Sequence, residues 1–346
     1  MKVQVCQVFH YLIKGKALKG HSTKIRLSKA GVSLINGRLK AENITPNIEP
    51  VLCKGLDGAV SSPSHSVLAK TNYKTINAYN NSLCKSSVSI GGIAVNNVEK
   101  VGCRIFADRS CKADGRIYGA LHQRVRKELR RAILIDGKKT IEVDIKSTHP
   151  LIIYTKEGFD ITSPQSGFRP VAATYSGDPY SVGALYSGTK ADRNIIKSLM
   201  TRMLNLESNK DEDDDSFAKR VKASFDYSVR SYVQSSNEEK LERAAGMKGS
   251  LKEYGVAYSK EFGSKFDVVD VVLAILDRHK LIKHWFTSEA WKSLNKYESD
   301  ILLKVVKHFV DKNIPILTIH DSVRIAEEHR EELIDVYKCA IESVLD

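Results

Sequence analysis

Along the first 95 residues the apolar positions come in short pieces, among them Val3-Gln4-Val5 and Val32-Ser33-Leu34-Ile35, with Gly, Ser, Asn and Pro between them. These pieces are strand-like, but no period runs through them, and 61–66 reads as a loop or linker. Past residue 99 the pattern becomes legible. Two β-rich runs, 132–135 and 140–144, flank Asp136-Gly137, the dipeptide of a tight hairpin. The second run alternates apolar and polar residues and ends on Asp144. Residues 193–206 place Ile195, Ile196, Leu199, Met203 and Leu206 at helical spacing. The run 210–215, with five acids in six residues, reads as a solvated loop, and helices are expected over 216–234, 238–261 and 265–286. Near the end, an amphipathic helix over 297–311 leads to a buried strand at 315–319. A tight turn at His320-Asp321-Ser322, a return strand at 323–325 and a closing helix over 328–344 follow. That helix carries Leu333, Val336, Tyr337, Ala340 and Ile341 on one apolar face.

Charge adds a functional hint to this pattern. The chain has 346 residues, enough for two domains, and 54 Lys and Arg against 41 Asp and Glu give a net charge of +13. Residues 1–50 hold nine basic side chains (Lys2, Lys14, Lys16, Lys19, Lys24, Arg26, Lys29, Arg38 and Lys40) but only Glu42 and Glu49 as acids. A second cluster, Arg124, Arg126, Lys127, Arg130 and Arg131, falls within eight residues. Such clusters concentrate polyanions, and a salt-dependent nucleic-acid contact is the reading they favour; a merely basic soluble enzyme would show the same total. No apolar run is long enough to span a bilayer, which excludes a helical membrane protein, and the start of the chain lacks a secretory h-region. The six cysteines are scattered without a CxxC pair, which points to neither a disulfide framework nor a zinc site and suits a cytoplasmic location.

Two aspartates stand at strand ends, Asp144 after Ile-Glu-Val and Asp321 after Leu-Thr-Ile-His. Each alone is an ordinary turn former. Together on adjacent strands they would repel, and a pair of divalent cations relieves that repulsion. Mg²⁺ (or Mn²⁺) fits, since it takes few protein carboxylates and completes its shell with water and phosphate. Two such ions stabilise both the attacking and the leaving oxygen of a phosphoryl displacement. Between the aspartates lies Arg193-x-x-x-Lys197, whose spacing puts both cations on one helical face, suited to grip a triphosphate, with Lys197 as proton donor to the departing pyrophosphate.

In this order the motifs resemble the palm and fingers of A-family DNA polymerases and their relatives, the single-subunit RNA polymerases. The resemblance rests on Gly115-Arg116, on Arg130-Arg131-Ala132-Ile133 and on Val143-Asp144-Ile145-Lys146-Ser147. It continues through Gly177-Asp178-Pro179-Tyr180, Arg193 with Lys197, Glu298-Ser299-Asp300-Ile301 and Ile319-His320-Asp321-Ser322. It covers about 99–205 and 295–330. It implies an α+β right-hand architecture, with an antiparallel palm sheet and helical fingers over roughly 185–295, after a basic N-terminal region at 1–98. It implies Asp144, Asp321 and the backbone carbonyl of Ile145 as metal ligands, Arg193, Lys197 and His149 at the nucleotide, and Arg116, Arg124, Arg126, Arg130, Arg131 and His320 at the nucleic acid.

The sequence also departs from the family. His149 stands where a sugar-excluding Glu is usual, Thr201 and Asn205 replace aromatics of the fingers helix, and Ser322 replaces a Glu. His149 reads equally as a hydrogen-bonded residue beginning a helix, His320 as a structural support for Asp321, and Trp285, Phe286 and Trp291 as core or as base-stacking side chains. The expected function is template-directed nucleotidyl transfer by a compact DNA polymerase, with primase activity open, belonging to a phage, plasmid or other mobile element. The expected partners are template, primer and nucleoside triphosphates, with room for a helicase or accessory replication protein. The rival readings are a metal-dependent nuclease, which would not need Arg193 and Lys197, and a non-catalytic nucleic-acid binder retaining the fold.

Overall fold

The computed structural model describes residues 48–55, 60–63, 66–159, 178–182, 190–207, 209, 212–233 and 267–345. The strand-like pieces at 3–5 and 32–35, the basic residues from Lys2 to Lys40, Gly177 and the helix expected over 238–261 lie outside them. In chain order the elements are β1 (Val51–Lys54), β2 (Val60–Ser61), α1 (Val67–Lys85), β3 (Val88–Ile90), β4 (Ile93–Ala94), α2 (Asn97–Lys100), β5 (Cys103–Phe106) and β6 (Asp114–Tyr118). Next come α3 (Leu121–Arg124), α4 (Lys127–Arg130), β7 (Ile133–Ile135), β8 (Lys138–Asp144), α5 (Thr148–Lys156), α6 (Lys190–Asn205), α7 (Asp214–Val233) and α8 (Val268–Arg278). A 3₁₀ turn (Lys280–Thr287), α9 (Trp291–Asp311), β9 (Ile316–Ile319), β10 (Ser322–Ala326) and α10 (Arg330–Leu345) complete the described chain. Among the described residues no helix is long and apolar enough to cross a membrane.

The fold is α+β and divides into two units. One holds the described residues up to Lys146 together with those from Asn295 onward; the other runs from Ser147 to Leu294. The first unit is built on a six-stranded sheet of order β4-β3-β7-β8-β10-β9, antiparallel throughout. The Asp136-Gly137 hairpin forms as its sequence requires: both residues have positive φ, 48° and 75°, and they join β7 to β8. The Asp136 carboxylate also accepts from the Ser87 backbone N–H at 2.7 Å, tying that turn to the residue just before β3. A second sheet, β2-β1-β5-β6, contains the one parallel pair among the described residues, β1 with β5. Strands on either side of residue 98 thus share both sheets, so the expected N-terminal region does not end at a unit boundary.

Buried polar pins hold the second sheet to α1 and α9. Arg104, 1% exposed, donates to the Gly115 carbonyl at 2.6 Å, to Asn72, to Ser299 at 2.8 Å and to Asp300 at 2.6 Å. Such a buried guanidinium is tolerable only with its donors paired. Gly115 is required beside it: φ is +104°, and a Cβ there would lie 2.6 Å from the Phe106 ring. Tyr79 of α1 reaches Thr318 of β9, its hydroxyl 3.2 Å from Oγ1 and 3.1 Å from the backbone N–H that donates to it.

The second unit's named elements are helices, in keeping with the helical character read from 193–286. Its limits are wider than the expected fingers at the N-terminal side, since it begins at Ser147. Asp214 and Asp215, expected in a loop, open the first turn of α7, where the helix dipole favours carboxylates. The single helix expected over 265–286 is broken at His279 into α8 and the 3₁₀ turn.

Candidate active site

The end of β8 meets the β9–β10 turn. Ser322 is the register partner of Asp144, and Ser322 also pairs with Ile319, which leaves His320-Asp321 as a two-residue hairpin turn. Only His320 of the two has positive φ, 56°, the sign pattern of a type II′ turn whose twist suits adjoining strands. Asp144, His320 and Asp321 are all exposed. Two carboxylates from different parts of the sequence therefore stand at one edge of one sheet, next to the carbonyl of Ile145.

Alternation along β8 puts Glu142 on the same face as Asp144. Across the ladder, Arg324 is the register partner of Glu142 and donates to it at 3.0 Å, while Arg130 donates to its other oxygen, also at 3.0 Å. The Ser322 hydroxyl lies 3.1 Å from a Glu142 carboxylate oxygen and 3.0 Å from the Ile319 carbonyl, and its one proton is shared between these two acceptors. Burial alone would raise the Glu142 carboxyl; hydrogen bonds from Arg324 and Ser322 and the charges of Arg130 and Arg324 hold it below its ordinary value. Ser322 thus braces the turn that carries Asp321. The period-2 pattern of β8 is the sequence signal for Glu142, which it puts on the same face as Asp144.

Of the basic residues expected at nucleic acid, Arg124, Arg126 and Arg131 are exposed, beside exposed Lys127. Arg130 is half-buried and bound to Glu142. Arg116 is bidentate to Glu298, at 2.9 and 3.1 Å. The run Glu298-Ser299-Asp300 hence clasps the two arginines of β5 and β6, which gives that motif a structural role in this chain.

In the second unit, Arg193 and Lys197 do share one face of α6, but they differ in state. Arg193 binds the Asp178 carboxylate at 2.6 and 3.3 Å and lies over the Tyr180 ring, 4.7 Å from its centre. Lys197 is exposed, and no carboxylate among the described residues pairs with it. Thr201 and Asn205 continue the face as exposed polar residues, with the Thr201 hydroxyl donating to the Lys197 carbonyl at 2.8 Å. Arg278 and His279 also grip 178–180, donating to the Asp178 and Pro179 carbonyls at 3.0 and 2.8 Å. Because a carbonyl only accepts, His279 Nε2 carries the proton, and its Nδ1 accepts from the Tyr154 hydroxyl 2.6 Å away. His149 is half-buried in the first turn of α5, reached through Ser147 with φ of 55°. Phe286 is fully buried and Trp285 donates to Glu157 at 2.7 Å, so the core reading holds for Phe286 and the Trp285 ring is pinned in place.

The donor set at the sheet edge fits a hard divalent cation that brings its own water and phosphate ligands: two exposed carboxylates and a backbone carbonyl, with no soft ligand. Among the described residues no group of three or more His, Cys, Asp and Glu side chains forms a closed metal cage. No protein-family model and no curated protein matches the chain.

Proposed function

We propose that the chain is a template-directed nucleotidyltransferase, a compact DNA polymerase of the A-family type in which a primer 3′-hydroxyl attacks the α-phosphate of a nucleoside triphosphate. One observation carries the reading: Asp144 and Asp321, 177 positions apart in sequence (321 − 144), come to one edge of an antiparallel sheet through the Asp144–Ser322 register. Asp144, Asp321 and the Ile145 carbonyl would hold Mg²⁺ or Mn²⁺. When bound, two such ions supply charge stabilisation for the attacking and leaving oxygens. The chain's own part is positioning. Ser322 and Glu142 hold the turn that orients Asp321. Lys197 is the exposed cation assigned to the triphosphate and to proton donation at the leaving pyrophosphate. Arg124, Arg126 and Arg131 neutralise backbone phosphates without reading sequence. Catalysis of this kind is chiefly positioning and electrostatics.

A second reading has one observation in its favour. Arg193 is committed to Asp178 rather than offered to a triphosphate, and a metal-dependent nuclease needs no triphosphate grip. One experiment separates the two. The full chain is incubated with primed and unprimed templates, Mg²⁺ or Mn²⁺, and either deoxy- or ribonucleoside triphosphates. Nucleotide-dependent extension supports the polymerase reading; strand shortening that ignores added nucleotides supports the nuclease.

A further inference from the structure

One end of the six-stranded sheet exposes apolar side chains next to a run of cations. The β3–β4 hairpin turns on Gly91-Gly92, both with positive φ, 59° and 83°, and its residues from Gly91 to Ala94 are all exposed. Ile93 is 75% exposed although it pairs with Ile90 in the sheet. The Gly91 N–H donates to the Ala132 carbonyl at 3.1 Å, and the Ala132 N–H donates to the Leu129 carbonyl at 3.0 Å. The hairpin tip is thus tied directly to α4. That helix buries none of its residues, and it holds Leu129, 55% exposed, among exposed Arg126, Lys127 and Arg131. Single exposed apolar side chains are ordinary; two tied together through the backbone and flanked by charge mark an interaction surface.

The tip and the candidate site lie at the same end of this sheet. β3 runs in the direction of β8, because each is antiparallel to β7, and both strands belong to the first unit. Three strand spacings across and four residues along put Ile93 about 20 Å from Asp144, or about six base steps of a duplex. With the Asp144–Asp321 edge read as the reacting end, as above, we propose that the β3–β4 hairpin and α4 form a docking surface for duplex nucleic acid. Ile93 and Leu129 meet the minor groove, and the arginines of 124–131 meet phosphates beside it. Charge sets the class of partner: residues 124–131 hold five cations against Glu128 alone. Side-chain type sets its form. Aliphatic side chains wedge into the minor groove of duplexes, whereas single strands are held on aromatic platforms, and 90–94 and 124–132 contain no aromatic residue. A Cβ on Gly91 or Gly92 would meet nothing within 4 Å, so the space beside the tip is open to a sugar–phosphate chain.

The test uses the full chain with fluorescein-labelled DNA, as a duplex and as its single strand, read by anisotropy over a salt series. Ile93→Ser and Leu129→Ser change exposed positions and should melt like the parent. Each should weaken duplex binding about tenfold, the scale of one apolar side chain's contact, and leave single-strand binding unchanged. The slope of log affinity against log salt should not move, since no cation is lost. On self-primed hairpin DNA the loss should appear with a stem longer than about six base steps and vanish with a shorter one. A loss that ignores stem length overturns the placement relative to Asp144. Parent-like duplex binding by both variants overturns the proposal. Equal weakening on single strands overturns it too, by making the patch a single-strand platform. So does a parent dimer in sedimentation that Ile93→Ser dissociates with duplex affinity unchanged, which would make the patch a self-association face. A parent that extends no primer, yet prefers duplex and loses that preference in Ile93→Ser, removes the polymerase reading and leaves the duplex surface standing.

Discussion

Asp144 and Ser322 face one another across the β8–β10 ladder, with Asp321 one residue before Ser322. A substitution at either aspartate therefore changes charge at the same sheet edge while leaving the ladder intact. Asp144→Asn and Asp321→Asn should each reduce nucleotide incorporation by at least about 10²-fold, the scale set by losing a preorganised charge-stabilising group. Template affinity, measured by fluorescence anisotropy at fixed salt, should stay near the parent value. Normal incorporation by either variant would remove that aspartate from the site.

Local signals made this edge legible in the sequence. Asp136-Gly137 marks the β7–β8 hairpin, and the apolar run before His320-Asp321 marks β9 and its return strand, which sets Asp144 at the end of a strand and Asp321 between two strands. What stayed hidden depends on distant partners. β1 pairs in parallel with β5, some fifty residues on, and a short strand of that kind carries no period of its own. His279 breaks the expected helix because its ring is fixed by Tyr154 and Pro179, which lie far back in the chain.

Glu142 is the anchor of the sheet face behind the site. Glu142→Gln would leave Arg324, 4% exposed, facing an uncharged partner, and would weaken the Arg130 pairing. Because the carboxylate is partly exposed, the cost should be moderate, about 1–3 kcal/mol in denaturant unfolding. The acid limb has a defined sign. The folded-state pKa of Glu142 is held below its ordinary 4.5, so its stabilisation is fully present above that pH and is lost as pH falls through the lower, folded value. In Glu142→Gln that part of the acid destabilisation should be missing.

Two buried imidazoles set a second pH window, at higher pH. Burial lowers His122 and His279 from 6.5 to about 4. The unfolded chain takes up protons on both between those values while the folded chain does not. Stability should be complete above pH 6.5 and fall as pH drops towards 4, by about 1 kcal/mol per pH unit for each histidine. Melting curves across that range in the parent and in His279→Gln check this. The variant should lose its own share of the slope, and an unchanged slope would mean that His279 takes up no proton on unfolding.

Template and nucleotide binding should separate by mutation. The exposed set Arg124, Arg126 and Arg131 is the proper target for the template, because Arg130 is engaged with Glu142 and its removal would mix stability with binding. Replacing the three by Ala should lower template affinity and flatten the slope of log affinity against log salt by about 3, one for each phosphate no longer neutralised. Lys197→Ala should leave that slope unchanged and raise the nucleotide concentration needed for half-maximal incorporation. Equal weakening of template affinity in both variants would break the assignment of α6 to the nucleotide.

Sugar selection is expected to be weak, for a reason visible on two helices. His149 begins α5 where the resemblance sets a carboxylate, and the α6 face that would carry aromatics holds exposed Thr201 and Asn205. A carboxylate gate excludes the 2′-hydroxyl by bulk and by holding an aromatic against the sugar, and this chain lacks both parts. A neutral imidazole can instead accept a hydrogen bond from the 2′-hydroxyl, which is worth about 1 kcal/mol. The ratio of incorporation efficiencies for matched deoxy- and ribonucleotides should therefore be small in the parent and should rise in His149→Glu. A parent that strongly prefers deoxynucleotides, with the preference unmoved by that substitution, would place the gate at other residues.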